Sequence, residues 1–333
     1  MKHTNIHFKS YRCYFSGRGG GRLCLCCAAG LLLLLLLHTA AHAQSYQKPP
    51  SVLATIKPIH SLVSIVTDGI TTPVLLLSGN SSPHLFQLKP SHVRSVESAD
   101  VIVWAGEGVE RFLPSMIEKF NSDASVLTLA KADGVVLHTS RNKNATKDFS
   151  TDAKNTRELD YHLWLDPHNA LRVVDELASL LSELDPHNEA RYRLNVESFG
   201  NKLKDSITEM EALLSDVKGN RYVVYHDSLQ YLERAFELGE AIVVAPQPQV
   251  KAGGKRLRAL HEEVAAESPG CLISEPQFQS PVVNILANDL KLQPVTIDPL
   301  AFDFSAGSDL YIDWLLHTTK TIATCLSSET IKP

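Results

Sequence analysis

The stretch "DPHNEARYRLNVESFGNKLKDSITEMEALLSDVKGN", residues 185–220, determines the architecture of the chain, because it predicts one long helix between two folded regions. Its apolar side chains recur every three or four positions, which gives a continuous stripe along an amphipathic helix. Asp185 and Pro186 suit the helix start as N-cap and first-turn proline, and Gly219 and Asn220 end it. Thirty-odd residues span roughly 45–50 Å at 1.5 Å each, so we expect a rigid connector.

Short apolar runs alternate with helical segments on both sides of this helix. The runs predicted as strands are Val52–Ile56, Val74–Leu77, Val101–Trp104, Val126–Leu129, Tyr161–Leu165, Tyr222–Tyr225, Ile242–Ala245, Cys271–Ser274 and Pro294–Ile297. Apolar strands separated by helices are typical of parallel sheets covered on both faces. We therefore predict an α/β fold with two similar lobes, residues 44–185 and 220–333, joined by the linking helix 186–219. Residues 139–159, which are almost without apolar side chains, are predicted to form a polar surface loop.

The first 43 residues have the three parts of a cleaved signal peptide. Five basic residues and no acidic one precede a run of seven leucines, Leu31–Leu37, and the segment ends in the small-x-small pattern Ala41-His42-Ala43. No later segment offers about 20 consecutive apolar residues, so we expect no direct membrane insertion. The sequence predicts an exported protein.

Charge and cysteine content change when this leader is removed. The rest of the chain carries 27 basic and 37 acidic side chains, a net charge of −10, which argues against nucleic acid as a partner. Four of the six cysteines leave with the leader, and Cys271 and Cys325 remain. In an oxidising compartment we expect these two to form a disulfide, although two separate buried thiols are the alternative.

Polar side chains with metal-binding chemistry occur near the ends of several predicted strands. His226, Glu275 and Asp298 each directly follow an apolar run, His84 lies in a loop shortly after one, and His162 lies within one. Ligands of open α/β sheets bind outside the carboxyl ends of the strands. Three imidazoles and a carboxylate converging there would form a transition-metal site, and imidazole suits zinc. The residues alone leave open the alternative of histidines that are exposed or hydrogen-bonded in a core.

The order of motifs along residues 51–326 resembles that of the zinc-specific solute-binding proteins of bacterial ABC transporters. The matching stretches are "TIKPIHSLVSIVTDG" (55–69), "SSPHLFQLKPSHVRSVESADVIVWAGEGVERFL" (81–113), "HLWLDP" (162–167), "VVYHDSLQYLERAFEL" (223–238), "EPQFQSPVV" (275–283) and "TIDPL" (296–300). The resemblance implies a monomeric periplasmic protein with a metal site in the cleft between its lobes. It would bind one Zn²⁺ and deliver it to an inner-membrane permease driven by an ATPase.

The resemblance also implies the metal ligands. These are His84 in "SPH", His162 in "HLW" and His226 in "HD", while Asp298 matches an acidic position that binds metal in manganese-type relatives and lies near zinc in this branch. Manganese-type relatives carry glutamate in place of His226, and a third imidazole favours zinc. We expect Asp298, or a water held near it, to complete the tetrahedron. Zinc-type relatives often have a histidine-rich loop before "HLW", and residues 139–159 contain no histidine.

Two other functions are weighed against zinc transport. A manganese-type binding protein is the first, and a secreted zinc hydrolase is the second, because three histidines with an open position also describe a catalytic site in which Glu275 or Asp298 could act as general base. The resemblance favours a transport protein and not an enzyme. Other chemistry-bearing residues are interpreted as surface or supporting groups: His60, His92, His168, His187, His261 and His317, with Glu107 and Glu110 as acids at a helix start.

Overall fold

The computed structural model describes residues 48–78, 82–141, 159–245, 254–267, 269, 271–278 and 281–327. The predicted signal peptide, 1–43, lies outside the described residues, and so does most of the predicted polar loop, residues 142–158. Within these ranges no helix combines the length and the apolar composition that crossing a membrane requires.

A four-stranded parallel sheet forms the first half of the fold. Its strands are β1 (Val52–Ala54), β2 (Val74–Leu75), β3 (Val101–Trp104) and β4 (Ser125–Thr128), in the order β2-β1-β3-β4. The helices between them are α1 (Lys57–Val66), α2 (Pro90–Glu97) and α3 (Leu113–Phe120). A short antiparallel ladder follows, made of β5 (His138–Thr139) and β6 (Leu159–Asp160).

The second half repeats this plan. Its strands are β7 (Val223–His226), β8 (Ile242–Ala245), β9 (Cys271–Ser274) and β10 (Gln293–Thr296), and its helices are α6 (Gln230–Ala235), α7 (Gly254–Glu267), α8 (Pro281–Asp289) and α9 (Leu310–Ser327). All neighbours in this sheet are parallel, in the order β10-β9-β7-β8. In both sheets the first and third strands along the chain are neighbours in the middle, and ligands bind at this switch point of doubly wound sheets.

Two long helices link the halves. They are α4 (Pro167–Leu184) and α5 (Glu189–Leu214), and α5 packs against α4, α9 and α1. Its apolar stripe is buried as predicted, with Tyr192, Phe199, Leu203 and Met210 in the same core as both sheets. The 26 residues of α5 span about 39 Å, less than predicted. The difference arises because Pro186–Asn188 and Ser215–Val217 form 3₁₀ turns at its ends.

The predicted start of the linking helix is wrong in detail. Asp185 does not cap the helix backbone with its side chain. Its Oδ2 instead accepts hydrogen bonds from the side chains of Asn188 at 2.7 Å and Tyr192 at 3.0 Å. The α-helix therefore begins at Glu189, after a turn that these contacts hold in place.

The predicted strand Tyr161–Leu165 is also wrong. Leu163–Leu165 form a 3₁₀ turn, and only Leu159–Asp160, just before the predicted strand, pair as a strand. The Asp160 side chain accepts the backbone N–H of His162 at 2.9 Å, which turns the chain in the manner of an Asx-turn. Because Leu163, Trp164 and Leu165 are all buried, their apolar run does not distinguish a strand from a turn. The other predicted strands are confirmed, with ends displaced by one or two residues.

The predicted disulfide is confirmed. Cys271 in β9 and Cys325 in α9 are bonded, with their Cα atoms 5.5 Å apart and 54 residues between them in sequence. Both cysteines are fully buried. The bond fastens the last helix to the middle of the second sheet.

Removing this disulfide should lower the free energy of unfolding by about 4 kcal/mol, because the chain-entropy model assigns that value to a loop of this length. The double variant Cys271→Ala/Cys325→Ala, which adds no strained or polar group, should be compared with the wild type by urea unfolding. Thiol titration of the unfolded wild type without reductant serves as the control. Two free thiols in that titration contradict the bond, and an unchanged unfolding midpoint contradicts its stabilising role.

Candidate metal centre

Three histidine side chains meet between the two halves of the fold. His84, His162 and His226 each offer a ring nitrogen within 4.8 Å of the other two. The ring centroids are 5.6 Å apart for His84 and His162, 5.6 Å for His84 and His226, and 5.0 Å for His162 and His226. A tetrahedral zinc bonded to nitrogen at 2.0–2.1 Å separates its ligand atoms by about 3.3 Å. Since the candidate atoms lie within 4.8 Å of one another, binding an ion requires them to approach by up to about 1.5 Å.

The three histidines come from different elements of the fold. His84 is the middle residue of a 3₁₀ turn, Pro83–Leu85, between β2 and α2. His162 directly precedes the 3₁₀ turn Leu163–Leu165, and His226 is the last residue of β7. Two imidazoles therefore belong to the first half and one to the second, so an ion bound to all three would connect the halves.

Asp160 holds His162 from behind. One carboxylate oxygen accepts both the backbone N–H of His162 and its ring Nδ1, the latter at 2.7 Å. Since a carboxylate only accepts hydrogen bonds, Nδ1 carries the proton and Nε2 is free for a metal. Burial alone would lower the pKa of His162, but the charge and hydrogen bond of Asp160, with Glu275 and Asp227 further away, raise it above its ordinary value.

Glu275 holds His226 in the same way. Its Oε1 accepts from Nδ1 of His226 at 3.1 Å and from the hydroxyl of Ser228 at 2.7 Å. Because Glu275 follows β9 and His226 ends β7, this pair lies between neighbouring strands at the switch point of the second sheet. Both side chains are buried. The edge of Phe278 covers the His226 ring, with centroids 5.5 Å apart.

The backbone of Gly108 lies close to His84 and influences its charge. The pKa of His84 lies well below the ordinary value, first because the ring is buried and then because of the neighbouring imidazoles and Arg111, while the backbone of Gly108 opposes this shift. The turn that carries Gly108 packs against the ring of Tyr161, and a Cβ at Gly108 would collide with that ring. Glycine is therefore required where the loop contacts the residue next to His162.

The interpretation of Glu110 as an acid at a helix start is wrong, because the first turn of Leu113–Phe120 contains no acidic residue. Glu110 is completely buried. Its carboxylate accepts from the Thr55 hydroxyl at 2.5 Å and from the backbone N–H groups of Ala105 and Gly106 at 3.3 and 3.2 Å. Burial raises its pKa from 4.5 to about 7. The carboxylate organises the turn that supports His84, a role that spacing in the sequence does not reveal. Glu107, in the same turn, is exposed as expected.

Asp298 is not part of the cluster of His84, His162 and His226, but its hydrogen-bond partner Gln277 lines the same cavity. Both of its oxygens are engaged: Oδ1 accepts from the Gln277 side chain at 2.6 Å and from Leu300 N–H at 2.9 Å, and Oδ2 accepts from Phe302 N–H at 2.5 Å. Burial raises the pKa of Asp298, and these hydrogen bonds oppose that shift. Sequence analysis did not single out Gln277, which lines the same cavity as the histidines.

Two further contacts connect the halves beside the site. Trp164, next but one to His162, donates from its indole N–H to the carbonyl of Pro299 at 3.0 Å. Arg141, at the start of the predicted polar loop, turns inward and forms ion pairs with Asp227 and Glu233. The patterns that predicted the histidines do not indicate either contact.

The other six histidines considered in the sequence lie outside the cluster of His84, His162 and His226. His168, His187, His261 and His317 are exposed, and His92 is partly buried. His60 is buried in α1, where its Nε2 lies 3.1 Å from the carbonyl of Pro73. Burial lowers the pKa of His60, and the hydrogen bond with Pro73 opposes that shift.

The cavity between the three imidazoles is small. Its walls include His84, His162, His226, Gln277 and Leu300, and its volume is about 10 Å³. That is close to the least space that holds one water molecule. Neutral imidazole nitrogens around a space of this size fit a transition-metal ion. Two similar parallel α/β sheets, a long helix between them and three imidazoles at their junction define a two-lobed protein with a candidate metal site in the cleft.

Comparison with known proteins identifies the family. Residues 52–325 match the family model "Zinc-uptake complex component A periplasmic", and the chain belongs to this ZnuA family. The high-affinity zinc uptake system protein ZnuA of Brucella suis is 30% identical over 305 residues, which cover 83% of this chain and 91% of that protein. The corresponding protein of Yersinia pestis is 26% identical over 289 residues, with 83% and 91% covered.

Solved structures support the fold. A crystal structure of ZnuA superposes with a TM-score of 0.71 at 21% identity and covers 84% of this chain and 99% of that chain. The binding protein FpvC of Pseudomonas aeruginosa in complex with Mn²⁺ gives a TM-score of 0.72 at 20% identity, with 84% and 98% covered. At these identities the likeness establishes the two-lobed fold and leaves the metal to the residues of this chain.

The buried carboxyl group of Glu110 predicts a specific pH dependence of stability. Because the pKa of Glu110 is about 7 in the folded protein and 4.5 ordinarily, the folded state binds the proton more tightly than the unfolded state does. The resulting stabilisation is fully present below pH 4.5. It is lost as the pH rises to 7 and above, which lowers the free energy of unfolding by about 3 kcal/mol in total.

Glu110→Gln should remove this contribution, so its stability relative to the wild type should rise between pH 5 and 8. Urea unfolding of the metal-free protein across this range measures the difference. The matched control is Glu107→Gln in the same turn, whose difference from the wild type should not change with pH. If the free energy of unfolding changes with pH in the same way for wild type and Glu110→Gln, the raised pKa is wrongly assigned to Glu110.

Proposed function

We propose that this chain is a periplasmic zinc-binding protein that captures one Zn²⁺ per chain and delivers it to an ABC-type permease for high-affinity zinc uptake. The observation that carries the proposal is the meeting of three imidazoles from both halves around a cavity that fits one ion. Membership in the zinc-uptake family supports zinc as the cargo. The relatives from Brucella suis and Yersinia pestis are high-affinity zinc uptake system proteins.

The proposed ligands are Nε2 of His162, Nε2 of His226 and a ring nitrogen of His84. Asp160 and Glu275 accept from the Nδ1 atoms of the first two, which fixes the tautomer and leaves Nε2 for the metal. The fourth position falls to Asp298 or to a water near it. The two negative charges behind the imidazoles offset the charge of the ion, so a divalent cation is favoured in a largely buried site.

Zinc is favoured over manganese by the donor atoms. Three nitrogen ligands suit a borderline-soft ion, whereas Mn²⁺ prefers carboxylate and water oxygen. The carboxylates nearest the imidazoles, Asp160 and Glu275, are hydrogen-bonded to ring nitrogens and so support the histidines. The manganese-type alternative therefore ranks second.

The size of the cavity and the hydrogen bonds of its carboxylates favour transport over hydrolysis. A cavity of about 10 Å³ does not admit a peptide or ester beside the ion. The two carboxylates considered as general bases are committed, Glu275 to His226 and Ser228, and Asp298 to Gln277 and two backbone N–H groups. A small cavity with hydrogen-bonded carboxylates suits binding and release of an ion.

Export and partners follow from the same reasoning. The predicted leader, residues 1–43, would direct the chain to the periplasm, where the Cys271–Cys325 bond is stable. There the protein would act as a monomer that meets the permease and its ATPase at the inner membrane.

Loss of any one imidazole should reduce zinc affinity by more than about 100-fold, because residues behind a ligand already account for 10–100-fold. His84→Ala, His162→Ala and His226→Ala should be titrated with zinc by calorimetry against a competing chelator. Asp298→Ala should lose less, because water can fill the fourth position. His168→Ala, an exposed histidine six residues from His162, is the control and should bind like the wild type. Loss of binding in His168→Ala with retention in His162→Ala would refute the assignment.

Zinc binding should change the overall shape very little. The helix α5 packs against helices of both halves, and contacts of Trp164 and Arg141, which do not involve the three histidines, also join the halves. Small-angle scattering of the chelator-treated and zinc-bound protein should give radii of gyration that agree within about 1 Å, a small part of a radius near 19 Å for a chain of this size. A larger compaction on adding zinc would show that the helix does not act as a rigid connector.

A further inference from the structure

Gln277 contributes an unpaired acceptor to the wall of the metal cavity. Its side chain lines the cavity together with the three histidines. The Oε1 atom is buried and has no hydrogen-bond partner among the residues that the structure describes. Buried acceptors in folded proteins nearly always have a partner, so the partner of this oxygen must be a group other than the described residues, such as a water or a ligand in the cavity.

Asp298 fixes the orientation of this amide. The Gln277 Nε2 atom donates to Asp298 Oδ1 at 2.6 Å. A carboxylate accepts hydrogen bonds and does not donate, so the amide must direct its NH₂ group to Asp298. Asp298 is itself held by the backbone N–H groups of Leu300 and Phe302. The oxygen of Gln277 is therefore kept off Asp298 and available for another donor.

We propose that Gln277 Oε1 accepts a hydrogen bond from the water molecule that completes the coordination of the bound zinc. This inference rests on the proposed function. Zinc with three protein ligands keeps water in its fourth position, and a metal-bound water is a strong hydrogen-bond donor. The ion lies 2.0–2.1 Å from each of three nitrogens, so the water must take the side of the cavity that the imidazoles leave open, where Gln277 and Leu300 form the wall.

Asp298 then acts on the metal through Gln277 as a positioning residue. Asparagine at position 298 would replace one accepting oxygen by an NH₂ group; in the orientation that puts this group in place of Oδ1, it faces Gln277, whose amide could turn to accept it. A turned amide would direct its own N–H groups at the metal-bound water and the cation. Asp298 therefore affects zinc binding through the orientation of Gln277. The changes in zinc affinity caused by substituting the two residues should not add.

The test is zinc titration by calorimetry against a competing chelator on four variants. Gln277→Met keeps the length of the side chain without its polar atoms, Asp298→Asn keeps the shape of the carboxylate, and the third variant combines both. Gln293→Met, at an exposed position in β10, is the matched control. Thermal unfolding of each metal-free variant separates loss of binding from loss of folding.

We expect Gln277→Met to bind zinc 10–100-fold more weakly than the wild type, as for other residues that support a metal ligand. Asp298→Asn should weaken binding in the wild-type background and have no further effect in Gln277→Met. Gln293→Met should bind like the wild type. Wild-type affinity in Gln277→Met, or losses that add in the double variant, would overturn the inference.

A crystal structure of the zinc-bound wild type provides a second test that does not depend on the folding of any variant. A zinc-bound oxygen within about 3 Å of Gln277 Oε1 supports the inference. Direct coordination by Asp298 or by Gln277, or a zinc-bound water out of reach of Oε1, overturns it. Failure of the wild type to bind zinc would instead refute the proposed function, so the two failures are distinguishable.

Discussion

Three imidazoles can lie against one another in a buried space only if each is held in one orientation with its proton on the outer nitrogen. The structure meets this constraint with an acceptor behind two of the rings: Asp160 behind His162 and Glu275 behind His226. His84 lies near the backbone of Gly108. The buried Glu110 accepts from Gly106 N–H in the same turn, and a Cβ at Gly108 would collide with the ring of Tyr161. Much of the local structure of both halves is thus arranged around the placement of three ring nitrogens.

The two sheets share one arrangement of a glutamate and its hydrogen-bond donor. Each has its first and third strands side by side, and in each a glutamate that follows the third strand accepts a hydrogen bond from a side chain at the end of the first. In the first half the pair is Thr55 and Glu110, and in the second half it is His226 and Glu275. The same position between strands therefore serves as a structural support in one half and as part of the metal site in the other.

The repeat of apolar runs and helices was sufficient to predict the parallel sheets and the long helix, and the two cysteines left after the leader predicted the disulfide. The residue types at strand ends, together with the family motifs, predicted the histidines that the structure brings together. What failed depended on side-chain contacts that a residue pattern does not show. Glu110 looks like an acid at a helix start until Thr55 is placed beside it, and "LWL" looks like a strand until Asp160 turns the chain. Gln277 gives no signal in the sequence because its importance lies in an atom without a partner.

The contact of Trp164 with Pro299 has a consequence for the kinetics of the cargo. This hydrogen bond and the ion pairs of Arg141 join the halves through residues other than the three histidines. The cavity between the imidazoles has a volume of about 10 Å³, which is less space than a hydrated ion needs. Entry and escape of the ion therefore both require the junction to open, and the contact between residues 164 and 299 is one that resists this opening.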